Sequence, residues 1–284
     1  MKRIINYLSI IKPLVFLIVI YMFSLLCCAI INYIISGLFT GDFNSETDIF
    51  ENQPHLMIII LNSNVSIIYF IWYRKLIKND KTKIESKSLI LKNIKLLLLL
   101  GLGVIFLVNG AVNLLLMVIN KFFPFCFGSR INVTNYIYEG SFILSILRTA
   151  IISPIAEELV FRGVILKKAK DIMPFYVANI IQALLFGIIH MDPIQATYAF
   201  LYGLLFGYMV LKYQSIIPSI ALHMLNNTIG VIFGRYQNSV NTSIDVPLWF
   251  WILLTLVGCC MLIIYFYIAK CEKKNLVVQE KIIS

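Results

Sequence analysis

Apolar residues gather into eight long stretches of this chain, and short polar segments separate them. They run at about 14–38, 56–73, 94–120, 141–166, 175–190, 194–212, 216–234 and 248–269. About 20 apolar residues in helical geometry cross a bilayer core. The pattern therefore predicts an all-α polytopic membrane bundle of about eight transmembrane helices. The second, fifth and seventh stretches are short for a full crossing. Pro154 in the fourth predicts either a kink or a helix start with Ser153 as its cap. Gly203 and Gly207 in the sixth make a G-x-x-x-G, a spacing that lets helix backbones approach closely.

Composition agrees with the pattern. The chain is 60% hydrophobic and 13% charged, with a mean hydropathy of +0.87, values no soluble domain of this size has. The net charge of +10 would point to nucleic acid in a soluble protein. Here the basic residues sit between spans and bear on orientation instead, so no nucleic-acid partner is expected. Arg74, Lys75, Lys78, Lys81, Lys83, Lys87, Lys92 and Lys95 follow the second span. Lys167, Lys168 and Lys170 follow the fourth, Lys212 the sixth, and Lys270, Lys273 and Lys274 the eighth. The first linker carries Asp42, Glu46, Asp48 and Glu51 and no basic residue. An even number of crossings with both termini cytoplasmic satisfies every loop. The first apolar run is too long for a signal peptide and reads as a retained helix. The abundance of Ile, Asn and Lys points to a bacterial cell membrane.

The six cysteines make no framework. Cys27–Cys28 and Cys259–Cys260 are sequence neighbours, too close for an unstrained disulfide, and Cys126 and Cys271 are isolated. All six read as small apolar packers.

The charges inside the spans carry the chemistry. Glu157 and Glu158 stand side by side in IISPIAEELVFRG, where ionisable residues are costly and functional by default. Residues four apart share a helical face, so Glu158 and Arg162 pair with each other. Glu157, turned about 100° away, is left to face a cavity as a candidate general base for water. The same spacing joins Phe186 to His190 and His223 to Asn227. An imidazole and a carboxamide on one face suit a developing oxyanion. At about 1.5 Å per residue, Glu157, His190 and His223 would lie about 15, 22 and 10 Å deep, so a common site requires tilting. Taken singly, each element also has a plainer reading as an ion pair, a buried histidine or interhelical glue.

The segments E-E-L-V-F-R (157–162), F-G-I-I-H (186–190) and H-M-L-N-N (223–227) resemble the three motifs of the CPBP family. That family comprises the CAAX proteases and bacteriocin-processing (Abi) intramembrane endopeptidases. The resemblance covers about residues 141–234. It implies that Glu157 activates water with His190, that His223 and Asn227 stabilise the oxyanion, and that Glu158, Arg162 and Phe186 support the site. It implies no cofactor and a membrane-associated peptide or protein as substrate, such as a pheromone precursor or bacteriocin leader. Glu157, His190 and His223 would also serve as three zinc ligands, the lesser reading. The chain then divides into N-terminal helices at 1–140, a catalytic core at 141–234, and a last helix with a cytoplasmic tail at 235–284. A bacteriocin-immunity or regulatory role on the same fold is the alternative. A proton-coupled transporter is a third reading, but no repeat-related broken helices of the kind such folds carry are visible.

Overall fold

The computed structural model describes residues 2–40, 54–78, 90–122, 141–239 and 246–283. The first acidic linker, Lys81, Lys83, Lys87 and Cys126 lie outside them. Every apolar stretch is a helix, and no strand occurs among the described residues. The helices are α1 (Lys2–Thr40), α2 (Pro54–Leu76), α3 (Ile94–Phe122), α4 (142–170), α5 (Phe175–Ile188), α6 (Pro193–Tyr213), α7 (Ile217–Ser239) and α8 (Leu248–Ile283).

Six of them are long and apolar enough to cross a membrane. The other two are α4 and α5. With 14 residues, α5 is about 21 Å long, short of a core about 30 Å thick. It forms a hairpin with α6. Met191 takes a left-handed conformation (φ 55°) that ends α5. Asp192 then caps α6 by accepting from the Gln195 N–H at 2.6 Å, with Pro193 in the first turn. The two glycines of α6 are what let this hairpin close. A Cβ at Gly203 would lie 2.9 Å from the Ala183 backbone, and one at Gly207 would run into the Asn179 carboxamide. Gln182 uses the closeness to donate to the Gly203 carbonyl at 2.8 Å.

The bundle is built around α4, which packs on α1, α2, α5, α6 and α7. Its residues 158–166 are all buried. The helix neither kinks to a stop nor starts at Pro154, and Ser153 is not a cap. Instead α4 runs through, with π-helical segments at Ile146–Ile152 and Leu159–Ile165. The wider π turn absorbs the proline: the Ser153 N–H bonds to the Arg148 carbonyl, five residues back. Ser153's hydroxyl turns outward and accepts from Asn62 Nδ2 of α2 at 2.8 Å. On the other side, α8 lies along α3, and Lys212 at the end of α6 donates to the Tyr265 hydroxyl of α8 at 2.7 Å. Cys28 is buried as a packer, whereas Cys260 and Cys271 are exposed on α8. Cys260 lies on the exposed apolar stretch of α8, and Cys271 beyond it beside Lys270, so neither is a buried packer.

Candidate active site

Glu158 has no exposed side-chain surface, and neither has Arg162. Arg162 Nη1 donates to Glu158 Oε1 at 2.7 Å, the pairing that the i,i+4 spacing predicts. The same Oε1 also accepts from His223 Nδ1 of α7 at 2.9 Å, which no local spacing foretells. His223 is thereby held across two helices, with its Nε2 3.6 Å from Glu157 Oε2. Glu157 keeps 23% of its side chain exposed. The two glutamates differ in the way local helix geometry requires. One is locked between two cations or donors; the other is open, with an imidazole edge beside it.

The depth difference expected between Glu157 and His223 closes in the folded bundle. The imidazole within ion-pair reach of Glu157 is His223, not His190. His190 stands at the end of α5 and bonds its own helix. The backbone tightens there: the His190 N–H goes to the Gly187 carbonyl at 3.1 Å. The Phe186 carbonyl is left for the His190 ring, and Nδ1 donates to it at 2.7 Å. A carbonyl only accepts, so Nδ1 is the donor and Nε2 is the ring nitrogen left over.

Phe186 joins the parts. Its ring lies edge-on to His190 (5.0 Å between centroids) and to His223 (5.9 Å). The Arg162 guanidinium lies 4.3 Å from the Phe186 ring centre and 5.2 Å from that of Phe206, so two aromatic faces enclose the cation. Phe206 also stacks on His223 at 5.1 Å. Sequence reasoning passed over Phe206. Its place between the two glycines of the G-x-x-x-G was the available signal.

Asn227 shares a face of α7 with His223, and its carboxamide ties α7 to α4. Asn227 Nδ2 donates to the Thr149 carbonyl at 2.9 Å. That carbonyl is available for a reason written in the sequence. The Ser153 N–H is committed to Arg148, and Pro154 has no N–H. Thr149 therefore lacks a donor from its own helix. One N–H of Asn227 is used in this way, and a primary carboxamide has a second. Beyond Asn227, Asn226 belongs to a polar cluster with Asn109 of α3 (3.4 Å), which also donates to Tyr202 at 2.7 Å.

Among the described residues, no group of three His, Cys, Asp or Glu side chains is set to hold a metal ion. His190 spends Nδ1 on the Phe186 carbonyl, and His223 spends Nδ1 on Glu158.

Residues 139–229 match the family model described as type II CAAX prenyl endopeptidase Rce1-like. Over 89 residues the chain is 30% identical to YdiL of Bacillus subtilis (strain 168), described as a candidate membrane peptidase. That alignment spans 31% of this chain and 36% of the relative, about a third of its length. No solved structure matches the chain. The family match falls on α4 to α7, the helices that carry the two glutamates, His190, His223 and Asn227. With six helices long and apolar enough to cross a membrane, the chain is a multi-pass membrane protein.

Proposed function

We propose, on the premise of that Rce1-like match over residues 139–229, that this chain is an intramembrane endopeptidase whose Glu157 activates water without a metal. The observation that carries the reading is the division of labour between neighbouring glutamates. Glu158 is spent on Arg162 and His223, while Glu157 stays half-open with His223 Nε2 at 3.6 Å. A base must reach water, and the locked carboxylate cannot.

In the step proposed, Glu157 takes a proton from water as the water oxygen bonds to the scissile carbonyl carbon. The C–N bond then breaks, and the proton passes to the leaving amine. The second N–H of Asn227, with an Nε2–H of His223, stabilises the oxyanion. Phe186 and Phe206 hold Arg162 and His223 in place. The substrate is a membrane-associated peptide or protein, and bacteriocin or pheromone precursors fit a bacterial membrane.

The test is cleavage by purified protein in proteoliposomes carrying a library of membrane-associated peptides, read by mass spectrometry. Wild type should generate new termini and Glu157→Gln none, with both proteins eluting alike. Equal cleavage by Glu157→Gln would remove the base. In the same preparation, elemental analysis should find no stoichiometric zinc. One zinc per chain, lost and regained together with activity, would overturn the metal-free part.

A further inference from the structure

Residues 1–140 carry none of the recognised motifs, yet α1 and α2 send a chain of polar side chains into the site. Tyr21 of α1 donates to Asn62 Oδ1 of α2 at 2.6 Å. Asn62 Nδ2 donates in turn to the Ser153 hydroxyl of α4 at 2.8 Å. Ser153 lies four residues before Glu157, on the same face of α4. A tyrosine, an asparagine and a serine in a row across three helices are more than hydrophobic packing needs. A second bond, Asn64 Nδ2 to Ser24 Oγ at 3.1 Å, already joins α1 to α2 a turn away.

The Tyr21–Asn62–Ser153 chain ends one helical turn from Glu157 on the same face of α4, and no direct hydrogen bond joins Tyr21 to Glu157. The hydroxyl proton of Tyr21 is committed to Asn62. Its oxygen lone pairs are what it offers on the Glu157 side. A water between the two groups would give one proton toward Glu157 and the other toward the Tyr21 oxygen, which fixes the direction of its own lone pair. Orientation of this kind is where distant residues act on rate, because a misplacement of about 1 Å costs about a hundredfold.

We propose that Tyr21, aimed by Asn62, is a positioning residue for the water that Glu157 activates, so that α1 and α2 complete the active site. The inference rests on the peptidase reading above. Its consequence is that the matched segment, 139–229, is not catalytically sufficient: the attacking water is oriented from outside it.

The test compares two phenols of the same helix pair. Tyr69 of α2 is buried and donates to the Pro13 carbonyl of α1, with no hydrogen bond to Asn62, Ser153 or Glu157. Tyr21→Phe and Tyr69→Phe each remove one hydroxyl between α1 and α2, so a merely structural role would make them alike. The expected result is a kcat lowered about tenfold to a hundredfold in Tyr21→Phe with KM unchanged. Tyr69→Phe should keep its kcat per folded molecule. An arm that needs no substrate reads the infrared carboxylate band of Glu157, assigned by its loss in Glu157→Gln. That band should move in Tyr21→Phe and stay in Tyr69→Phe. An unchanged kcat, an unchanged band, or equal effects in the two variants would overturn the proposal. The two failures are distinguishable. Activity in Glu157→Gln brings down the peptidase reading and this inference together. An inactive Glu157→Gln beside a fully active Tyr21→Phe brings down this inference alone.

Discussion

Two adjacent glutamates should fail in different ways when changed. Glu158 lies with Arg162 in a fully buried pair and anchors His223. Glu158→Gln leaves the Arg162 charge buried without its partner, which costs about 3–5 kcal/mol. It should lower both the melting temperature in detergent and the cleavage rate, since the imidazole loses its anchor. Glu157→Gln should stop cleavage and leave the melting temperature where it was, because that side chain is half-open. Thermal unfolding of the two proteins side by side checks the contrast, and equal stability would contradict it. The Glu158–Arg162 pair was legible from spacing alone because it closes within one turn. The His223 bond was not, since it joins residues 65 apart and no local rule reaches that far.

The fourth helix owes its functional shape to one proline. By removing an N–H, Pro154 frees the Thr149 carbonyl for Asn227, and the π segment before it keeps the helix continuous. Pro154→Ala restores a donor within α4 that competes with Asn227. One hydrogen bond between α4 and α7 is worth about 1 kcal/mol, or about fivefold in an equilibrium. Cleavage should fall by about that factor, while thermal stability holds or rises because the helix regains its own bond. A drop in stability with no change in rate would show that the tether does not serve the site. The sequence made Pro154 conspicuous and predicted a kink or a start. It did not reveal a π turn, because the choice between kinking and widening is made by what packs around α4.

At the scale of the whole molecule, the basic ends of the even-numbered spans predict both termini on one side. The basic residues Arg74 and Lys75 sit in the last turn of α2, just before Lys78, while Ser141 precedes α4 on the opposite end. In a cysteine-free background, Lys78→Cys should react with a membrane-impermeant reagent only after permeabilisation. Ser141→Cys should react in intact cells. Both sites reacting from one side would break the orientation. The short α5 is consistent with this plan. Its hairpin with α6 needs only to carry His190 to the level of the site, and 14 residues suffice for that.

Periodicity and spacing determine whatever is decided within a few turns of one helix. The eight helices follow from apolar run length, since in a bilayer each backbone polar group must bond within its own segment. The separate fates of Glu157 and Glu158 follow from the helical angle between neighbours, and the pairing with Arg162 from a four-residue step. The relations across helices were decided by packing. His223 rather than His190 came to stand by Glu157, Phe186 became the hub between Arg162 and the two histidines, and Tyr21 was tied to α4 through Asn62. Those outcomes depend on how closely helices approach. Small residues set that approach at Gly203 and Gly207, and a π turn reset the phase of α4. Spacing along the chain records neither distance, because the side chains that meet are on different helices and only the assembled bundle fixes their register.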